Sequence, residues 1–250
     1  MLKKFIKVWL IAVILACLVP AGAMAGTQIY FNDFDAAPTV APGVSAALAG
    51  VTTTTGVQGY AGLGPSGNQF GGNFLRNTST GNPASSTTLT LTGLPAHTSV
   101  NVNFLLGIID SWDGYGSGFG PDAFNVTVDG VSVFSQVFAT AGGSMTYLPG
   151  SPVLLSSGTH LGFNGSWTDK AYNMYLEPAF QNIAHTGSSL AISWFASGPV
   201  WQGGVDESWA MDNVQVVLNG VTAVPLPPSV MLLGSGLLGL LGAGWRLRKP

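Results

Sequence analysis

The sequence predicts an all-β fold, an antiparallel β-sandwich of the jelly-roll-like kind, and three observations lead to that prediction. Strand and turn formers are abundant: the 250 residues include 35 glycines and 13 phenylalanines, and only 8% are charged. Short runs of alternating apolar and polar residues recur between glycine-rich loops, as in sandwiches and jelly rolls. Between the two ends lie about two hundred residues with no repeat or linker, enough for one domain with its own core.

The alternating runs define the predicted strands. In residues 99–106 every second side chain is apolar, which is the period of a strand with one buried face. Asp129 and Gly130 join two such runs and favour a type I′ hairpin turn. Residues 36–86 are rich in small residues, and their sequence leaves open whether they form long loops or short edge strands. The predicted strands are residues 29–34, Thr87–Thr92, 99–106, 124–128, 131–133, 190–194 and 214–218.

The first 25 residues predict a secretory signal peptide. Three lysines precede an apolar run over residues 8–19, and Ala23 and Ala25 supply small residues for cleavage before Gly26. A retained N-terminal anchor is the alternative, although the run is short for a spanning helix. Cys17, the only cysteine, lies in this leader, so the exported chain would have neither disulfides nor a thiolate metal site.

The C-terminal residues 224–250 have three parts. A proline-rich motif leads into an apolar, glycine-rich run over residues 230–245, and a basic cluster follows. Such a run predicts a short membrane helix whose basic end stays in the cytoplasm, with the main domain outside. The motif residues are Val224, Pro225, Leu226, Pro227 and Ser229, and the basic tail consists of Arg246, Arg248 and Lys249.

This three-part C-terminus resembles the PEP-CTERM sorting signal, in the variant whose motif reads Val-Pro-Leu-Pro. The resemblance implies processing by an exosortase-type membrane protease in a Gram-negative bacterium that makes exopolysaccharide. The glutamate of the commoner motif is absent here, and a plain C-terminal membrane anchor is the alternative. The expected organisation is a signal peptide (1–25), a β-sandwich ectodomain (26–223) and a sorting signal with a transmembrane helix (224–250).

The charge of the ectodomain excludes one class of partner. All eleven acidic residues lie in residues 26–223, where Arg76 and Lys170 are the only basic ones. Two positive charges against eleven negative ones leave this region at −9. Nucleic acid is therefore not an expected partner, since phosphate binding needs clustered lysine and arginine. A cation or a neutral sugar fits better.

Two acidic loops predict a calcium site. Ca²⁺ takes six to eight oxygen ligands in flexible geometry, which carboxylates and carbonyls on glycine-rich loops supply. The alternative is that these side chains cap turns through nearby backbone amides; for Asp129 turn capping is the prediction. The candidate ligands are Asp110, Asp113, Asp122, Asp206 and Glu207.

Aromatic residues in the predicted loops suggest a carbohydrate site. Trp112, Tyr115 and Trp201 could present flat rings to a sugar. Trp194 lies in an alternating run and is predicted to be in the core. Aromatic packing in core and loops is the alternative interpretation for all of them.

The sequence segments DSWDG and DESW…DN resemble segments of a recurring ectodomain of PEP-CTERM proteins. That ectodomain is similar to the jelly-roll domains of extracellular and carbohydrate-binding proteins. The resemblance implies a surface or matrix role. Enzyme signatures are mostly absent, and His97, His160 and His185 are scattered along the chain. The expectation is an exported, non-enzymatic surface or matrix protein that binds carbohydrate or is structural. The alternative is a polysaccharide hydrolase that uses the acidic loop residues.

Overall fold

The computed structural model describes residues 26–50 and 53–221, which form two antiparallel sheets. The all-β, two-sheet prediction is thereby confirmed. The predicted signal peptide, sorting motif, apolar run and basic tail lie outside the described residues. Within the residues described, no helix has the length and apolar character to cross a membrane.

Fourteen strands are present in the described part of the chain. Every predicted strand is among them, most of them longer than the alternation indicated. Their bounds are β1 (Thr27–Asn32), β2 (Thr39–Val40), β3 (Ser45–Gly50), β4 (Thr53–Gly56), β5 (Asn73–Asn77), β6 (Thr87–Thr92), β7 (Ser99–Asp110), β8 (Asp122–Val128), β9 (Val131–Phe138), β10 (Leu154–Thr159), β11 (Asp169–Asn173), β12 (Ile183–Ala184), β13 (Ser189–Ser197) and β14 (Glu207–Asn219).

One sheet has nine strands and the other five, counted over residues 26–50 and 53–221. In the larger sheet the main path is β10-β11-β7-β14-β1-β2, with β12 beside β7 and the β4-β5 pair beside β14. The smaller sheet runs β3-β6-β13-β8-β9. The long strands β7 and β14 lie side by side at the centre of the larger sheet, so the loops at their ends emerge together.

The β8-β9 hairpin confirms the turn prediction. Asp129 and Gly130 have φ angles of 48° and 79°, as a type I′ turn requires at its two central positions. Asp129 Oδ1 also accepts a hydrogen bond from the backbone N–H of Ala191 at 2.8 Å. The carboxylate therefore binds the neighbouring strand β13 and not an amide of its own turn, so the predicted turn-capping role is wrong.

The main core lies between the two sheets and is dominated by aromatic rings. Phe104 of β7 is fully buried and packs edge-on against Trp194 of β13, with ring centroids 6.0 Å apart. It also contacts Phe124 of β8, whose ring stands 5.2 Å from that of Trp209 on β14. Trp194 is thus a core residue, as predicted.

A second apolar layer covers the outer face of the larger sheet. From Leu105 onward β7 is buried on both faces, because Leu105 and Ile109 pack against Tyr60 and Phe74. The Tyr60 hydroxyl donates to the carbonyl of Ile108 at 3.0 Å. Much of the segment whose structure the sequence left open therefore folds across this sheet, partly as short strands and partly as a single 3-10 turn.

Candidate functional site

Three strand ends meet at one edge of the sandwich and bring three carboxylates together. Asp113 follows the end of β7, Asp122 begins β8 and Glu207 begins β14. One ligand oxygen from each lies within 4.8 Å of the others, and all three residues are buried. We refer to Asp113, Asp122 and Glu207 as the carboxylate triad. All three are among the five residues that the sequence predicts as calcium ligands.

Each of the two deepest carboxylates of the triad uses only one of its oxygens within the protein. Asp122 Oδ2 accepts from the backbone N–H of Asp113 at 2.6 Å. Glu207 Oε2 accepts from the backbone N–H groups of Gln202 at 2.7 Å and Gly203 at 3.4 Å. The other oxygens, Asp122 Oδ1 and Glu207 Oε1, are buried and accept from no N–H or hydroxyl donor. A side-chain hydrogen bond between the two residues, which requires a proton on one of them, partly offsets the rise in the pKa of Asp122 that burial causes. Buried acceptor atoms are seldom left without a donor in native proteins.

Burial also governs the protonation of the carboxylate triad. It raises the pKa of Glu207 to about 8 and the pKa of Asp122 to about 6, since a carboxylate charge is costly away from water. It raises the pKa of Asp113 as well. The mutual repulsion of Asp122 and Glu207 adds to the pKa of Glu207.

A cleft of about 380 Å³ opens beside the carboxylate triad. Phe119 and Trp167 stand at it with 59% and 37% of their surface exposed. Asp113 belongs both to the triad and to the cleft wall, so the two features adjoin. We call this the aromatic cleft; its lining residues are Ser111, Asp113, Ser117, Phe119, Ala141, Gly142, Trp167, Gln202 and Asp206.

Asp110 does not join the carboxylate triad, contrary to the prediction. Its Oδ2 lies 3.6 Å from Nη2 of Arg76, and its Oδ1 accepts from the backbone N–H of Asn164 at 3.1 Å. Asp169 accepts from the backbone N–H groups of Asp110 and Leu161. Asp110 and Asp169 thus anchor the loop that carries Trp167 to the cleft. A basic residue 34 positions earlier in the chain determines where Asp110 binds, and local spacing cannot reveal that.

Asp206 also stays outside the triad, although it was predicted with the other ligands. It is half-buried, and its Oδ1 accepts from the Ser111 hydroxyl at 2.9 Å. Its side chain lines the aromatic cleft. Of the five predicted ligands, the structure therefore brings three together and leaves Asp206 beside them, facing the opening.

The predicted sugar-stacking tryptophans are buried, so that part of the prediction is wrong. Trp112 has no exposed surface, and its Nε1–H donates to the carbonyl of Ser208 at 2.8 Å. Trp201 is 7% exposed, packs against Trp112 with centroids 4.7 Å apart, and donates to the carbonyl of Ser79. Both loops fold back over the end of the core, because buried indoles find both apolar contacts and acceptors there.

Tyr115 is exposed as predicted and lines a separate groove. This groove has a volume of about 510 Å³ and polar walls, and we call it the tyrosine groove. Half of the Tyr115 surface, 51%, is exposed. The other lining residues are Asn82, Pro121, Ala123, Ser135, Gln136, Val137, Thr146, Ser197, Gly198 and Pro199.

Sequence reasoning missed two features. Phe119 and Trp167 were not singled out as sugar contacts, although both lie in polar, glycine-rich stretches where a large ring is less easily buried. The histidines looked scattered, yet His97 Nε2 and His185 Nδ1 are 2.7 Å apart. The pairing of β12 with β7 brings these two together over 88 residues of sequence.

Asp212 allows a prediction of pH dependence. Burial raises its pKa to about 7, although its oxygens accept from the backbone N–H groups of Gly71 and Asn213. A carboxyl whose pKa is higher in the folded than in the unfolded protein stabilises the fold at low pH. This stabilisation is lost as the pH rises from the unfolded-state pKa to the folded-state pKa. We therefore expect Asp212→Asn to reduce the loss of unfolding free energy between pH 5 and pH 7 by about 2 kcal/mol.

Urea unfolding of both proteins at the two pH values, with chelator present, measures this difference. Asn supplies one acceptor oxygen where Asp supplies two, so the variant is also expected to be less stable at pH 5. Parallel pH profiles for the two proteins would contradict the prediction.

Comparisons with known proteins do not assign a family. No family model matches the chain, and no curated protein matches it significantly. Among solved structures, SGBP-B from a xyloglucan utilization locus in Bacteroides uniformis has a TM-score of 0.35 at 13% identity, over 76% of this chain and 49% of that one. The chain thus spans about half the length of that protein.

Two further structures have similarly low scores. The CBM22-1-GH10 modules of a Clostridium thermocellum endo-1,4-β-D-xylanase give a TM-score of 0.35 at 9% identity, over 81% of this chain and 30% of that one. A family 35 carbohydrate binding module from an environmental isolate gives 0.31 at 13% identity, over 80% and 100% of the two chains. Scores this low support no conclusion about function, and the sandwich assignment rests on the strand pairing itself.

Proposed function

We propose that the described domain is a non-catalytic glycan-binding module of an exported surface or matrix protein, and that the aromatic cleft is its binding site. The observation that carries the proposal is the pair of exposed rings, Phe119 and Trp167, at a cleft that also offers polar side chains. Sugar rings bind proteins through apolar faces that pack on aromatic rings and hydroxyls that take hydrogen bonds.

The polar lining of the cleft is suited to hydroxyl groups. Asp206 provides acceptor oxygens, and Gln202 provides both donor and acceptor atoms. The Ser117 hydroxyl is also available, and it already accepts a hydrogen bond from the backbone N–H of Phe119 at 3.1 Å. No lysine or arginine lines the cleft within the described residues. A neutral glycan therefore fits better than an anionic one, which would meet the carboxylates of Asp113 and Asp206 without a compensating charge.

The terminal segments support the cellular part of the proposal. An N-terminal leader, a Val-Pro-Leu-Pro motif, an apolar run and a basic tail together favour export across the inner membrane, transient membrane anchoring and exosortase-type processing. Exopolysaccharide outside the cell would then be the natural ligand. Mass spectrometry of the mature protein from producing cells tests this part: loss of residues 1–25 and of the basic tail is expected, whereas an intact C-terminus would indicate a plain anchor.

A polysaccharide hydrolase is the second candidate, because Asp113 and Asp206 both line the cleft. Glu207 and Asp122 have no exposed surface and cannot reach a substrate directly. Release of reducing ends from a polysaccharide by the wild type, abolished in Asp206→Asn, would establish the hydrolase and overturn the non-catalytic proposal.

Trp167→Ala tests the glycan site. We expect it to weaken binding by about 5- to 150-fold, since loss of one stacking ring removes about 1–3 kcal/mol of contact energy. Calorimetric titration with neutral gluco-, galacto-, manno- and xylo-oligosaccharides measures the change. Phe119→Ala is expected to act in the same direction.

Two other variants complete the test. Leu148→Ala removes an exposed apolar side chain that lines neither groove, so it should leave binding unchanged. Tyr115→Ala reports on the tyrosine groove. If Tyr115→Ala abolishes binding and Trp167→Ala does not, the aromatic cleft is not the site. Binding of no glycan in the panel by the wild type would remove the support for a lectin-like role.

A further inference from the structure

The carboxylate triad brings three acidic side chains together with no basic side chain paired to them. The two ion pairs among the described residues join Arg76 to Asp110 and His185 to Asp129, and neither involves the triad. Two of the three triad side chains have no exposed surface, so water cannot disperse their charge. Buried carboxylates in native proteins are paired with cations, bound to metals or protonated.

The unpartnered oxygens belong to the same cluster as the third carboxylate. Asp122 Oδ1 and Glu207 Oε1 are the buried atoms of the triad that accept from no donor. The second oxygen of each carboxylate, Asp122 Oδ2 and Glu207 Oε2, accepts from backbone N–H groups. A Cβ at position 198 would overlap Asp122 Oδ1, so the glycine there keeps the surroundings of that oxygen clear. The backbone thus fixes each carboxylate while one oxygen of each is free to bind a ligand.

We infer that Asp113, Asp122 and Glu207 bind one calcium ion. The donors are all carboxylate oxygens, which suit a hard cation, and three carboxylates exceed what a divalent charge needs for neutralisation. Asp113 opens onto the aromatic cleft, from which water can complete the six to eight ligands that calcium takes, whereas magnesium requires a more regular octahedron.

The ion would tie together two of the loops that line the cleft. Asp122 holds the loop with Phe119 through the Asp113 amide, and Glu207 holds the loop with Gln202 through two amides. Fixing these carboxylates on one ion therefore fixes those two loops relative to the strand ends, while Asp110 and Asp169 hold the loop with Trp167. This consequence for glycan binding depends on the proposed function; the calcium site itself does not.

Calorimetric titration of Ca²⁺ into the chelator-treated full-length protein, purified in detergent, tests the inference without any glycan. One ion per chain is expected. Asp113→Asn and Glu207→Gln should each weaken Ca²⁺ binding at least tenfold, because each removes a ligand charge while keeping the shape and an acceptor oxygen. Asp129→Asn, at the β8-β9 turn, is the matched control and should bind as the wild type does.

Thermal unfolding of the same proteins shows whether each variant is folded. The wild type and Asp129→Asn should gain melting temperature on addition of Ca²⁺, since an ion that binds only the folded state stabilises it. Glu207→Gln should melt cooperatively and gain less than the wild type at the same Ca²⁺ concentration. No Ca²⁺ binding by the folded wild type, equal binding by the triad variants, or tighter binding of Mg²⁺ than of Ca²⁺ would overturn the assignment.

Discussion

Trp112→Ala is expected to lower the free energy of unfolding by about 4 kcal/mol or more. Truncation of a buried tryptophan costs about 3–5 kcal/mol through lost burial and the cavity left behind. The Ser208 carbonyl also loses the indole N–H that it accepts at 2.8 Å, and Trp201 loses its edge-on neighbour. For a domain of this size, such a loss corresponds to a fall of about 10–15 °C in melting temperature.

Differential scanning calorimetry measures the effect, with two variants for comparison. Trp112→Phe retains most of the apolar volume and should cost less than the alanine variant. Trp167→Ala removes a partly exposed ring and should cost about 1 kcal/mol or less, while it weakens glycan binding. A Trp112→Ala protein with unchanged melting temperature would contradict the buried, structural role of this indole.

Arg76→Met is expected to destabilise the domain by about 3 kcal/mol at pH 8. Removing one partner of a buried ion pair leaves the other charge uncompensated, which typically costs 3–5 kcal/mol. Here Asp110 is fully buried, and Arg76 also donates to the Ser208 hydroxyl and lies 4.2 Å from the ring centroid of Phe163. The loop that carries Trp167 should become more mobile as well, because the Asp110 carboxylate accepts a hydrogen bond from the backbone N–H of Asn164 in that loop.

The cost of Arg76→Met should depend on pH. Burial already raises the pKa of Asp110 to about 7 with arginine present, and removal of the arginine raises it further. At pH 5 the carboxyl takes up a proton, so the variant should lose less stability there than at pH 8. Urea unfolding at both pH values measures this.

A double variant serves as the control for Arg76→Met. Asn at position 110 keeps an acceptor for the Asn164 amide and tolerates the φ angle of 66° found there. Arg76→Met combined with Asp110→Asn should therefore recover much of the lost stability at pH 8. A cost below about 1 kcal/mol for Arg76→Met alone at pH 8 would mean that the pair is solvated and weak.

Local chemistry explains what the sequence could predict about the fold. The Asp129-Gly130 turn follows from backbone preferences of two adjacent residues, and the strand with Val100 and Val102 follows from its period of two. The second half of β7 shows the limit. Leu105 and Ile109 are apolar because Tyr60 and Phe74 cover that face, a contact made across more than 30 residues of sequence. The alternation of residues within one strand cannot reveal a contact with a segment so distant in sequence.

The candidate site was predictable as a set of residue types but not as a geometry. The chain has few acidic residues, so Asp113, Asp122 and Glu207 stood out as possible ligands. Which carboxylates meet depends on the registry of β7 and β14, which pairs Glu207 with Asp110, and on the start of β8. Exposure was harder still to predict, since Trp112 and Trp167 lie in similar glycine-containing loops and only one reaches the surface.

Fluorine NMR of the full-length protein labelled with 5-fluorotryptophan tests the central claim most directly. The chain has seven tryptophans, each giving one signal that a single Trp→Phe substitution identifies. During titration with the best-binding oligosaccharide, we expect the Trp167 signal to shift with ligand concentration. The signals of the buried Trp112, Trp194 and Trp209 should stay in place. A shift confined to other tryptophans, with Trp167 unmoved at saturation, would contradict the assignment of the aromatic cleft as the glycan site.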